Sequence, residues 1–175
     1  MKTLIISVII IGTLGFSAKA ENSKASNKLI VAEADQQSPL SGLLTLYYDI
    51  KNSLVSGNAN VAATKADEFV KAIANIDMKT LPDEEMKAFM PVKDKLAEDA
   101  KHIAGTKELS HQREHFAAFS ANMITLAKGA KLSTGPVYEA YCPMKKAYWL
   151  SSEKAIKNPY YGSSMLTCGQ VKETF

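Results

Sequence analysis

The chain has 175 residues, of which 46% are hydrophobic and 22% are charged, and its formal net charge is +3. This length suits one domain with a sizeable core. Its lysines are interspersed with Asp and Glu, which favours a mixed solvated surface and excludes a nucleic-acid-binding protein.

Residues 1–20 have the pattern of a secretory signal peptide. Lys2 supplies the positive charge, an apolar run extends from Leu4 to Leu14, and Ala18-Lys19-Ala20 has the small-x-small form of a cleavage site. The apolar run is shorter than the roughly 20 residues of a membrane-spanning helix, and no later stretch approaches that length. We therefore do not expect the protein to span a membrane. The sequence predicts a periplasmic protein whose net charge falls to +1 when Lys2 and Lys19 are removed.

Residues 21–37 are polar and lack an apolar period, which predicts a flexible leader before the folded part, residues 38–175. Within that part, four segments carry apolar residues at helical spacing. The first runs from Ser38-Pro39 to Gly57-Asn58, the second from Asn60 to Ile76, the third from Thr80 to Ile103, and the fourth from Leu109 to Ala130. Pro91 lies inside the third segment and cannot donate its backbone hydrogen bond, which predicts a kink or break there.

Four helices with short connections predict an all-α fold, an up-and-down four-helix bundle. From Lys131 onward Gly, Pro, Ser and aromatic residues replace the alanine-rich composition, and both cysteines lie there. We expect an irregular C-terminal tail packed against the bundle. The aromatic side chains of the tail would fasten it to the helices.

The tail offers two pairs of sulfur side chains. Cys142 and Met144 lie two apart next to Pro143, so in an extended chain they would share one side. Met165 and Cys168 lie three apart, a spacing that places both on one face of a helical turn. If the loop between the pairs folds back, two thiolates and two thioethers converge, and such soft ligands select Cu(I).

The alternative for the same cysteines is a disulfide, because paired cysteines in an exported protein are normally oxidised. A bridge between Cys142 and Cys168 would contribute about 3 kcal/mol by restricting the unfolded chain. Met144 and Met165 would then be ordinary packing residues. An oxidised resting form that becomes a metal site on reduction is compatible with both readings.

Histidines on the fourth helix form a second candidate set. His111 and His115 lie four apart and share a face, so they could chelate a divalent ion or lend a nitrogen to the sulfur site. His115 is the histidine we expect as a ligand beside the sulfurs. His102, on the preceding helix, is given little weight.

Several blocks of the sequence resemble one periplasmic family. They are Arg113-Glu-His-Phe, Tyr141-Cys-Pro-Met, Ala147-Tyr-Trp-Leu-Ser, Asn158-Pro-Tyr-Tyr-Gly and Met165-Leu-Thr-Cys-Gly. Together they resemble the family of domain of unknown function 3347, whose members stand alone after a signal peptide or are joined to periplasmic adaptor subunits of heavy-metal efflux systems. Some members have a longer Gly-containing loop where this chain has only Lys145 and Lys146 before Ala147.

The resemblance implies a metal-handling role, with copper as the metal and with Cys142, Met144, Met165, Cys168 and His115 as ligands. The function we expect is a periplasmic Cu(I)-binding protein for sequestration or for delivery to an efflux adaptor or another copper protein. The alternative is a disulfide-stapled interaction or adaptor domain without metal. No nucleophilic triad, phosphate loop or Cys-x-x-Cys motif stands out, so we do not expect an enzyme.

Overall fold

The structure is a computed structural model that describes residues 38–175. The predicted signal peptide and leader lie outside the described residues. Within them the chain forms five α-helices followed by three strands. The helices are α1 (Ser41–Ser56), α2 (Ala59–Ala74), α3 (Asp83–Phe89), α4 (Lys93–Ala104) and α5 (Leu109–Gly129), and the strands are β1 (Tyr138–Cys142), β2 (Ala147–Ser151) and β3 (Gln170–Thr174).

Local chemistry sets the boundary between α1 and α2. Gly57 ends α1 with a φ of 73° and donates its backbone N–H to Leu54, a left-handed conformation that glycine adopts without strain. Asn58 caps α2 because its side-chain oxygen accepts a hydrogen bond from the Val61 N–H at 3.1 Å. The connection is therefore short, and the two helices pack against each other.

The predicted break at Pro91 is confirmed. Helix α3 ends at Phe89 and α4 begins at Lys93, so the third predicted helix is two helices. Proline has no N–H to donate at this point, and its ring opposes the preceding helical turn. Phe89 and Val92 on either side of the break are buried, which anchors the bend in the core.

The helices enclose one apolar core. Helix α1 packs on α2, α2 on α4, and α4 on α5, while α5 also contacts α1 and α3. The largest fully buried side chains of the helices include Tyr47, Phe69, Phe89, Phe116 and Phe119. The apolar residues at helical spacing are thus largely buried, but the four predicted helical segments form five helices because the third is divided into α3 and α4.

The prediction of an all-α fold with an irregular tail is wrong. The tail forms a three-stranded antiparallel sheet in the order β2-β1-β3, so the protein is a mixed α and β structure. Tyrosine and tryptophan, which the sequence indicated as packing residues, also supply the β-propensity of β1 and β2. A turn over 143–146 joins these strands, and within it Lys146 adopts a φ of 56°.

Tyr47 links the sheet to the bundle. Its hydroxyl lies 2.8 Å from the Ser120 hydroxyl on α5 and accepts a hydrogen bond from the Leu150 N–H on β2 at 3.0 Å. Trp149 and Leu150 beside it are buried. Burial and hydrogen bonding together fix β2 against α1 and α5.

Across residues 38–175, none of the helices combines the length and the apolar character that crossing a bilayer requires.

Candidate metal site

The sheet register brings the two cysteines together. Strand β3 runs antiparallel to β1, with Tyr141 opposite Gln170. Cys142 is the last residue of β1, and Cys168 lies two residues before β3. Because the end of one strand meets the start of its antiparallel neighbour, residues 26 positions apart in the sequence become neighbours in space.

Gly169 allows this close approach. Its φ is 151°, and a Cβ at this position would lie 2.6 Å from Cη2 of Trp149 and 3.0 Å from the backbone oxygen of Tyr141. A side chain there would push β3 away from β1. The glycine that follows Cys168 is thus required for the pairing that positions the thiol.

Asn158 holds both cysteine segments. This fully buried side chain donates from Nδ2 to the Cys142 sulfur at 3.1 Å and to the backbone oxygen of Cys168 at 2.7 Å. Its Oδ1 accepts a hydrogen bond from the Tyr160 N–H. The segment that begins at Asn158 therefore ties the two thiol-bearing segments to each other.

The two thiols have different environments. Cys142 is fully buried, and its sulfur accepts a second hydrogen bond from the Lys145 N–H at 3.4 Å. Cys168 is half-buried. Burial raises the pKa of the Cys168 thiol, and the charge and hydrogen bond of neighbouring Cys142 raise it further, whereas the Met144 N–H lowers it. Because the two thiols are within hydrogen-bond reach of each other, two thiolates here would repel each other, and a cation bound between them would offset that repulsion.

Both cysteines are free thiols in the structure of residues 38–175. Met144 and Met165 belong to the same two segments as the cysteines and are both exposed, Met144 to 60% and Met165 to 39%. Met144 lies in the turn that closes with a hydrogen bond from the Lys146 N–H to the Cys142 oxygen, not in the extended chain expected at Pro143. The structure thus brings the two thiol-bearing segments together and leaves the methionines of the same segments exposed.

The aromatic side chains of the tail fasten the sheet to the bundle. Trp149 and Tyr160 are buried and pack edge to face, with ring centroids 6.1 Å apart. The Tyr160 hydroxyl donates to the Tyr148 backbone oxygen, and its ring contacts Phe116 on α5. These residues form the hydrophobic support beneath the cysteines.

His115 lies with other histidines and not with the sulfurs. Its ring stacks on that of His102 with centroids 4.3 Å apart, and the His111 ring lies 4.7 Å from it. Among the described residues this trio is the group of three side chains with metal-ligand character. Sequence reasoning gave His102 little weight, although its position in the last turn of α4, just before the start of α5, was a usable signal.

Comparison with known families supplies one match. A family model described as "Protein of unknown function (DUF3347)" matches residues 43–135, which is more than half of the chain. The chain belongs to the DUF3347 family. The family expected from the sequence is thereby confirmed, and the matched region of this DUF3347 member runs from α1 to the segment before β1.

The matched DUF3347 region includes all three histidines, whereas both cysteines lie beyond it. Comparison with curated proteins gives no match. Comparison with solved structures gives none either. The family description carries no function, so any function rests on the residues of this chain.

Proposed function

We propose that this DUF3347 protein binds Cu(I) as a cargo at the Cys142 and Cys168 thiols, with the thioethers of Met144 and Met165 as further ligands. The observation that carries the proposal is the meeting of the two thiols, one buried and one half-buried, at the end of β1. Asn158 and the Lys145 N–H donate to the buried sulfur. Such outer hydrogen bonds orient a metal ligand and adjust its basicity.

The donor set favours a soft monovalent ion. Thiolate and thioether sulfur select Cu(I), whereas structural zinc takes cysteine with histidine or further cysteine. His115, which the sequence suggested as a fifth ligand, lies in the histidine group on α4 and α5. The proposed ligand set is therefore four sulfurs without imidazole.

The exposure of the ligands suits transfer to a partner. Met144 and Met165 are exposed and Cys168 is half-buried, so a partner's sulfur ligands can approach the ion from solvent. Cys142 would release the ion last because it is fully buried at the end of β1. Ligand exchange in this order hands over Cu(I) without freeing it into water.

The cellular role follows from the first twenty residues and from the family resemblance. The signal-peptide pattern of the sequence supports a periplasmic location, and the resemblance to proteins joined to efflux adaptors supports an adaptor subunit or another copper protein as the proposed partner. We therefore propose sequestration of Cu(I) or its delivery to efflux, without a catalysed reaction.

The test is a competition for Cu(I). The reduced protein is titrated into a chromogenic Cu(I) complex under anaerobic conditions, and the Cys142→Ser/Cys168→Ser variant is compared with it. We expect the wild type to withdraw one Cu(I) per chain and the double variant to withdraw far less. Equal, weak competition by both proteins would refute the proposal.

Methionine variants refine this test. Met144→Leu and Met165→Leu keep the apolar volume and remove the thioether, so we expect a smaller loss of Cu(I) affinity than the cysteine changes cause. Met90→Leu is the matched control, because Met90 is 56% exposed on the helical part of the chain. If the Met90 change weakens binding as much as the others, the thioethers are not ligands.

A second candidate function uses the same contact between the thiols. Oxidation of Cys142 and Cys168 would staple the sheet and leave a protein-interaction domain, with exposed Met144, Tyr148, Met165 and Leu166 as apolar contact residues. Non-reducing mass analysis of the protein from the periplasm discriminates the two. A bridge that resists physiological reductants, with no Cu(I) uptake, would favour the stapled domain.

A further inference from the structure

The helices bring three histidines together away from the cysteines. His102 lies in the last turn of α4, and His111 and His115 lie one turn apart on α5. Because α4 packs on α5, one ligand nitrogen from each ring lies within 4.8 Å of the other two. We propose that His102, His111 and His115 form a second metal site, which binds a divalent ion of the zinc class through three imidazole nitrogens.

A carboxylate lies near Nδ1 of each α5 ring, at ion-pair distance but beyond hydrogen-bond distance. Nδ1 of His115 lies 3.8 Å from Asp99, and Nδ1 of His111 lies 4.0 Å from Glu114. A metal-bound imidazole characteristically directs its second nitrogen at a carboxylate, which fixes the ring and makes the ligand more basic. In that arrangement Nε2 of each ring would be the metal ligand. Asp99 is itself held by a hydrogen bond from Asn122 at 3.3 Å.

The site is open on one side. His102 and His111 are exposed and line a surface cavity of about 270 Å³ together with Lys101, Gly105 and Thr106. An ion can enter there, and a water molecule can complete a tetrahedral shell, as in zinc sites with three protein ligands. Of the five residues that line this cavity, Lys101 alone carries a positive charge that would repel a metal cation.

Binding requires a modest rearrangement. Metal–nitrogen bonds of about 2.0 to 2.1 Å bring the three nitrogens to roughly 3.3 Å from one another. The His102 ring now stacks parallel to that of His115, with an interplanar angle of 4°. It must therefore turn about its side-chain torsions, and its exposure leaves that turn unhindered. His115, half-buried and paired with Asp99, stays as the fixed ligand.

This site is independent of the proposed Cu(I) site. Imidazole nitrogen suits divalent zinc, copper and nickel, whereas the sulfur pair selects Cu(I). No cysteine lies in the histidine group among the described residues. One chain would thus carry a soft site on its sheet and a borderline site on its helices.

The first experiment locates the ion by NMR. The full-length Cys142→Ser/Cys168→Ser chain, which lacks the competing thiols, is titrated with Zn²⁺ while the ring signals of its three histidines are recorded. We expect all three to shift together and to saturate at one equivalent. Rings that shift independently, or that do not shift, would overturn the proposal even if Cu(I) binding at the cysteines succeeds.

The second experiment measures affinity by competition with a chromogenic Zn²⁺ chelator, in a Cys142→Ser/Cys168→Ser background that removes the thiols. We expect Asp99→Asn to weaken Zn²⁺ binding about 10- to 100-fold, and His102→Ala to weaken it more. Lys101→Ala is the matched control and should bind no more weakly than its parent. If His102→Ala binds Zn²⁺ as tightly as its parent, the site does not exist. Should the background variant not fold, a Cys168→Ser background replaces it, because this change leaves the buried Cys142 in place.

Discussion

The side-chain amide of Asn158 donates a hydrogen bond to the sulfur of Cys142 across 3.1 Å, and the same nitrogen donates to the backbone of Cys168. One buried amide thus contacts both segments of the proposed copper site. Its loss affects the fold of the tail as well as the orientation of the thiols.

Asn158→Ala should lower the free energy of unfolding. The change leaves the Cys168 oxygen and the Tyr160 N–H without their partner, and each buried group left unpaired costs about 1 to 3 kcal/mol. Denaturant unfolding of the reduced protein measures this. Asn52→Ala, at an exposed position of α1, is the control and should change stability little. Equal stability of the two variants would mean that Asn158 does not hold the tail.

Adjacent tyrosines on α1 should respond in opposite ways to the loss of a hydroxyl. Tyr47→Phe removes the acceptor of the Leu150 N–H and the partner of Ser120, which costs about 1 to 3 kcal/mol. The Tyr48 hydroxyl is buried and lacks a partner within residues 38–175, and burial raises its pKa to about 12. Tyr48→Phe should therefore be neutral or stabilising. Thermal unfolding of both variants tests this, and a reversed order would contradict the proposed joint between α1 and β2.

Lys51 should make stability depend on pH. The side chain is buried near Ser151, and burial lowers its pKa to about 8, against 10.5 in the unfolded chain. The folded state therefore releases the proton at lower pH than the unfolded state does. Below pH 8 the buried Lys51 is charged, and the cost of burying that charge lowers the free energy of unfolding. The free energy of unfolding rises again as pH increases from about 8 to 10.5, by about 3 kcal/mol at most.

The matched variant for this prediction is Lys51→Met. It keeps the length of the side chain and removes the charge, so it should be more stable than the wild type at pH 7 and lose that advantage by pH 10. Other titrating groups contribute equally to both proteins, so they cancel in the difference between the two free energies of unfolding. Denaturant unfolding at both pH values would contradict the prediction if the difference stayed constant.

Gly162 should not tolerate a side chain. Its φ is 56°, and a Cβ would lie 2.5 Å from Nη2 of Arg113 and 2.9 Å from the backbone oxygen of Val55. Gly162→Ala should cost at least about 1 kcal/mol from backbone strain alone. Gly42→Ala is the control, because no atom lies within 4 Å of its Cβ and helical Ala stabilises by about 0.5 to 1 kcal/mol over Gly. If the Gly162 variant unfolds no earlier than the Gly42 variant, the tail does not pack on α1 as described.

The helices could be predicted from sequence because their apolar residues recur at helical spacing and their ends carry local signals. Gly57 and Pro91 act within one turn of the chain, so their effect needs no knowledge of distant residues. The family resemblance also pointed to the correct family. The boundaries of α1, α2 and α5 accordingly lie close to those expected.

The sheet was missed because its strands are short and do not alternate. In β1 the buried Glu139 interrupts any polar and apolar pattern, and it is accommodated by an ion pair with Lys128 at 2.6 Å, a residue on α5. Strand β3 is mostly exposed and gives no apolar signal. Partners from distant positions define both strands, and a single sequence does not reveal them.

The candidate sites, like the fold, could be predicted from the sequence only in part. The sequence predicts that the two cysteines meet if the loop between them folds back, and in the structure Asn158 contacts both cysteine segments. The exposure of Met144 depends on the turn between β1 and β2, and the meeting of His102 with His111 depends on how α4 packs on α5. Both are tertiary relationships that spacing along the chain does not contain.

X-ray absorption at the copper edge of the Cu(I)-loaded protein tests the proposed copper site most directly. We expect a first shell of sulfur alone, at about the 2.3 Å found for thiolate sulfur on zinc, and the loss of that shell in Cys142→Ser/Cys168→Ser. A first shell of nitrogen or oxygen, or a sulfur shell unchanged in the double variant, would contradict copper binding at the thiols.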